Sequence, residues 1–145
     1  YGLADSKEQL VRAAVVHFFR RATAEVEAEV ARHSAPQERF VAYLRAVAHQ
    51  LAPASAAFFD DVAAFVPAAE IYERNTRAAA RRVEQLLDAG VRDGVFRPVH
   101  RAFAADVIAS VMVRIQQRQV AAATGLGDAE AYEQLTALLL HGLRR

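Results

Sequence analysis

Residues 6–32 read SKEQLVRAAVVHFFRRATAEVEAEVAR. Val11, Val15, Phe19, Ala22, Val26 and Val30 recur every three or four positions. That spacing aligns them on one face of a helix and leaves the charged residues on the others. The stretch holds no Pro or Gly, so it predicts one long amphipathic helix from about Ser6 to Arg32. Asp5 with Glu8, or Ser6 with Gln9, has the spacing of a capping box at its start.

The same period continues outward. A second helix is expected after Ser34, with Gln37 three residues on as a second capping box, and Pro53 ends it. Its core face is Phe40, Leu44, Val47 and Leu51. A short third helix carries Phe58, Phe59, Val62, Phe65 and Val66, with Pro67 as its stop. The fourth runs from about Ala68 to Asp93 with Gly94 as its C′ residue. VFRPVH, residues 95–100, reads as a turn. A fifth helix is expected from about Arg101 to Thr124, followed by the loop GLGD and a last helix capped by Asp128 and ending near Leu143. No Val/Ile/Thr-rich alternating run predicts a strand. The reading is an all-α bundle of six helices with short connections.

Composition narrows the function. Apolar residues make up 54% of the 145, much of it Ala, yet no apolar run approaches the roughly 18 residues of a membrane span. The absence of Cys removes disulfides, thiolate metal sites and Cys nucleophiles. A net charge of +1 argues against a chain that coats nucleic acid over its whole surface. Lys7 is the one Lys among many Arg, which together with the Ala excess fits a GC-rich bacterial genome.

Catalytic and metal constellations are not evident. His17, His33, His49, His100 and His141 are scattered, and no two lie four apart on a helix as a helical metal site would need. Asp60 and Asp61 are adjacent, so on a helix they diverge by about 100° and cannot act as a paired acid and base. Ser6, Ser34, Ser55 and Ser110 have no evident base. ATGLGDAE, residues 123–130, has two Gly but no preceding strand, which makes a nucleotide loop a weak reading. No catalytic residue, metal or cofactor is expected, and an enzyme is the minority reading.

Two stretches carry a resemblance. YGLADSKEQLVRAAVVHFF, residues 1–19, resembles the junction in tetracycline-repressor (TetR) family regulators where the DNA-recognition helix gives way to the long connecting helix. Tyr1, Lys7, Glu8 and Leu10 match that pattern, and Ala4 stands where the family has an aromatic. LLDAGVRDGVFRPVHRAFAADVI, residues 86–108, resembles the family's ligand-domain signature through Gly90, Gly94, Phe96 and Pro98.

The resemblance implies a domain order and a mechanism. Residues 1–5 would be the end of a helix-turn-helix domain standing in front of Tyr1, and residues 6–145 the effector-binding and dimerisation domain. Tyr1 and Lys7 would contact DNA phosphates, Lys7 from a helix N-terminus. Effector binding would shift the spacing of two heads that must sit roughly 34–36 Å apart on operator DNA. Such a protein would be a cytoplasmic homodimer, most simply a repressor. The alternative is a stand-alone helical ligand-binding or dimerisation module.

The residues themselves suggest where pocket and interface lie. Aromatic and aliphatic wall candidates on the second and third helices are Phe40, Tyr43, Leu44, Val47, Phe58, Phe59, Val62 and Phe65. Further along are Tyr72, Val107, Ile108, Val111, Met112 and Ile115. Asn75, Thr76, Gln116 and Gln119 are polar residues on helices expected to face inward, where an amide needs a partner. The expected effector is small and apolar or aromatic. The last two helices carry surplus apolar surface for a dimer: Ala109, Val113, Ala121, Ala122, Leu135, Leu138, Leu139 and Gly142, rimmed by Arg114, Gln117 and Arg118.

Overall fold

The computed structural model describes the backbone of residues 3–54 and 56–145, and their side chains apart from those of residues 3–5, 56, 57, 59 and 63. The described residues form seven helices: α1 Leu3–Ala31, α2 Pro36–Leu51, α3 Ala56–Ala64, α4 Val66–Arg92, α5 Arg101–Gln116, α6 Gln119–Thr124 and α7 Asp128–Leu143. They contain no strand, only an isolated antiparallel bridge between Phe96 and Arg144. The class is all-α.

Helix α1 packs on α2 and α4, α4 packs on α5, and α7 closes against α2 and α5. The main core joins Val26 and Val30 of α1, Phe40 and Leu44 of α2, Val83 and Leu87 of α4, Ile108 and Ile115 of α5, and Tyr132 of α7. A second cluster gathers Val15 and Phe19 of α1, Val62 of α3, and Ala68 and Ile71 of α4. The predicted stripe of α1 is buried from Val15 to Val30, but Val11, one turn earlier, is 40% exposed beside the groove that α1 forms with α3.

Several helix ends differ from expectation. Helix α1 starts at Leu3, so Asp5 and Ser6 lie inside the helix and neither caps it; the helix runs unbroken through the expected domain boundary after residue 5. Helix α2 is opened by Pro36 in its first turn after Ala35, with no side-chain cap, which displaces Ser34 from the capping position. Pro67 lies in the first turn of α4 and does not stop α3; a ring with no N–H costs nothing where no intrahelical acceptor exists. Asp128 is the first residue of α7, after Gly127 at the cap position.

Other ends follow the reading or refine it. Gly94 ends α4 with a φ of +78°, the left-handed conformation that glycine adopts without a Cβ penalty. His100 caps α5: its Nδ1 accepts from the Phe103 N–H at 3.1 Å. That bond requires the neutral imidazole tautomer with the proton on Nε2.

The largest departure is in the fifth helix, which is broken in two. Arg118 takes a φ of +63° and separates α5 from α6. For an L-residue this costs about 1–2 kcal/mol. Contacts on either side of the break hold it. Arg118 Nη1 donates to Asp128 Oδ1 at 2.9 Å. The buried Gln116 accepts from the Tyr72 hydroxyl and donates from Nε2 to the Tyr132 hydroxyl at 3.2 Å, tying α5 to α4 and α7.

Candidate functional site

A cavity of about 250 Å³ lies where α1, α2, α4 and α5 meet. Helix α1 contributes Phe19, Ala22, Val26 and Glu27; α2 contributes Tyr43, Val47, Gln50 and Leu51. From α4 come Asn75, Thr76, Ala78, Ala79 and Arg82, and from α5 Ala109, Met112, Val113 and Gln116. The opening in the packing arises on α4, where TRAAAR, residues 76–81, offers only small side chains over three successive positions. The volume lies just below the usual range of ligand cavities, roughly 300–1,000 Å³.

The wall carries one pair of charges. Arg82 Nε and Nη2 grip the Glu27 carboxylate at 2.8–3.1 Å, and Arg82 Nη1 donates to Gln85 Oε1 at 3.2 Å. The fork geometry directs the guanidinium onto this carboxylate and links α1 to α4 across the cavity. Thr76 Oγ1 donates to the Tyr72 carbonyl at 2.9 Å, and both ends of the Gln116 amide are engaged. The side chains of Tyr43, Gln50 and Asn75 make no hydrogen bond to another described residue.

Burial raises the tyrosines. Tyr43 is pushed up, first by desolvation and then by the negative charge of Glu27, with Arg82 opposing. Desolvation likewise pushes Tyr72 up. Tyr132 is pushed up to about 12 by burial and by Asp128, against the hydrogen bond from Gln116. All three are neutral phenols at ordinary pH.

A wider groove of about 560 Å³ lies towards the N-terminal end of α1, between it and α3. Phe58, Val62 and Phe65 line it beside Lys7, Val11 and Asp61. Among the described residues no group of three or more His, Asp or Glu is placed to hold a metal ion. No helix among them is long and apolar enough to cross a membrane.

The residues expected at a pocket therefore divide. Tyr43, Val47, Asn75, Thr76, Met112 and Gln116 converge on the cavity. Phe40, Leu44, Ile108 and Ile115 are fully enclosed in the main core, and Val111 packs partly buried against it. Tyr72 belongs to the second cluster and does not line the cavity, though it contacts the wall residues Phe19, Thr76 and Gln116. Val107 and Gln119 are exposed, and the side chain of Phe59 lies outside the described residues. Glu27, Gln50 and Arg82 carry no signal of a site in the sequence; the Ala run at 78–80 is the available signal, as missing side-chain volume on an otherwise regular helix.

The expected interface residues divide too. Ala109 and Val113 face the cavity, Leu135 is buried in the main core, and Leu139 packs half-buried against it. Gln117, Arg118 and Ala121 are half-buried around the helix break, while Arg114, Ala122, Leu138 and Gly142 are exposed. Phe103, which is not among the expected interface residues, is 68% exposed and Leu138 71%. Tyr1 lies outside the described residues. Lys7 is exposed on α1 past its first turn, so its backbone N–H is not one of the free donors of a helix N-terminus as expected.

Comparison of the chain with protein-family models, with curated proteins and with solved structures gives no match.

Proposed function

We propose that this chain is the effector-binding and dimerisation part of a ligand-responsive transcriptional regulator, a repressor of the TetR type. The observation that carries the reading is the position of the cavity. One wall is α1, the 29-residue helix whose N-terminal end bears the sequence resemblance to the junction with a DNA-binding head. A ligand that fits the cavity better in one setting of α1 favours that setting by its difference in affinity for the two states. Motion of α1 would reach its far end, roughly 25–35 Å from the cavity at about 1.5 Å per residue. Lys7 remains a candidate phosphate contact there, as an exposed cation rather than as part of a helix N-terminus.

The dimer reading rests on α5 and α7. Phe103, Val107, Ser110 and Arg114 follow one another at helical spacing on α5 and are all exposed, as is Leu138 on α7. Exposed large apolar side chains on adjoining helices suit a two-fold contact between copies of the chain. Such a regulator works in the cytoplasm, with its operator DNA.

The test is to read the gene upstream of Tyr1, express the whole reading frame, and measure binding to its own promoter DNA by gel shift. A helix-turn-helix segment with sequence-specific binding that a small molecule weakens or strengthens supports the reading. A frame without such a segment and without DNA affinity overturns it and leaves a helical ligand-binding module. For the dimer, sedimentation of wild type and of Leu138→Asp decides: a dimer that the substitution converts to monomer is expected.

A further inference from the structure

We propose that the cavity takes an uncharged ligand about one substituted aromatic ring in size, which presents a hydrogen-bond acceptor to the Tyr43 hydroxyl. This rests on the reading of the cavity as an effector site, and adds the chemistry of the effector.

Size is the first observation. A cavity of about 150 Å³ already accommodates benzene, and this one has about 250 Å³. One ring with a short polar substituent fits within it. The apolar walls supplied by Phe19, Val26, Val47, Leu51 and Met112 suit a ring.

Charge is the second. Glu27 and Arg82 are the charged residues on the wall, and they neutralise each other through three hydrogen bonds. Arg82 Nη1 also donates to Gln85. An anionic ligand would meet the Glu27 carboxylate, and the Arg82 charge is already matched by it. A cationic ligand would have to draw Glu27 away from Arg82. Either must disturb a part-exposed pair that a neutral ligand leaves intact.

Polarity is the third. Tyr43 is 5% exposed, yet its hydroxyl has no hydrogen-bond partner among the described residues. A hydroxyl with no protein partner that borders a cavity is open to a water or a ligand there. It is not among the sealed side-chain atoms, where Gln37 Oε1 stands, so its remaining access is to the cavity. Burial keeps it a phenol, and hence a donor, across physiological pH. Asn75 and Gln50 supply further free amides on the same wall.

The test is calorimetric or ligand-observed NMR titration of the 145-residue chain with benzamide, benzoate and toluene. These share one ring and differ in charge and acceptor. Benzamide is expected to bind at least about tenfold more tightly than benzoate, since the charged carboxylate loses its solvation without a paired cation. Tyr43→Phe should lower benzamide affinity about fivefold, the worth of one hydrogen bond, and leave toluene unchanged. Ala79→Leu, which fills the cavity, should abolish binding of all three. Benzoate binding as tightly as benzamide overturns the proposal. So does a Tyr43→Phe variant with unaltered benzamide affinity, or the failure of all three compounds to bind.

The two readings fail separately. Benzamide that binds as described but has no effect on promoter binding by the whole reading frame sinks the regulator and leaves the ligand class. A compound of other chemistry that alters promoter binding, where benzamide does not bind, does the reverse.

Discussion

In the C-terminal half of α4, Val83, Leu86 and Leu87 are buried and Gly90 lies against Phe96; in the middle of the same helix, Asn75, Thr76, Ala78 and Ala79 border a cavity. Both stretches have the same helical period and the same neighbours, α2 and α5. They differ in side-chain volume. Branched and aromatic residues fill the space at one end, where the Phe96 and Phe40 rings meet edge to face at 5.6 Å. A run of Ala leaves it open at the other. The comparison teaches that hydrophobic period fixes which face turns inward, and that volume decides whether that face closes or makes a pocket.

The comparison can be broken by substitutions at each end. Leu87→Ala, in the filled part, should destabilise the fold by about 3–4 kcal/mol in urea unfolding, because a fully buried side chain leaves a void among atoms that cannot collapse. A loss below about 1 kcal/mol would mean that this end is no better packed than the cavity. Gly90→Ala should cost about 2–3 kcal/mol, since an added Cβ would overlap the buried Phe96 ring. Thermal melts showing no change would show that the ring has room to retreat.

The cavity end should respond differently. Glu27→Gln removes the carboxylate from a part-exposed pair, so about 1 kcal/mol or less is expected, shrinking as salt is added. A larger, salt-independent loss would make the pair a structural strut of the filled kind. Ala79→Leu places volume into empty space and should change stability by less than about 0.5 kcal/mol in either direction while closing the cavity.

Alkaline titration probes both ends together. Tyr132 is raised to about 12, and Tyr43 and Tyr72 are also raised. A group whose folded pKa lies above its unfolded value of about 10 contributes full stability below that value. The contribution is lost as pH rises through the folded pKa. Stability measured by circular dichroism in urea should therefore hold to about pH 9 and fall between about pH 10 and 12, by about 1.4 kcal/mol per pH unit for each buried phenol. A flat profile over that interval would mean that the hydroxyls are reached by water.

The sequence by itself determined the all-α class, the buried face of α1 from Val15 to Val30, and the left-handed Gly94 that ends α4, because helical period and glycine's conformational freedom are local properties of the chain. It also pointed to six of the cavity residues, though mixed with core residues of the same type. Phe40 and Tyr43 are both aromatic on one helix; only the neighbours on α1, α4 and α5 decide that one is enclosed and the other borders empty space. The break at Arg118 was not legible, since Gln117, Arg118 and Gln119 are good helix formers and no Gly or Pro marks the place. It is held by Asp128 ten residues on and by Tyr72 and Tyr132 bonded to Gln116. The same holds for Glu27 and Arg82, 55 positions apart, which read as ordinary solvated charges until packing brings them together. Partners distant in sequence are chosen by tertiary packing, and the chain's local pattern carries no record of them.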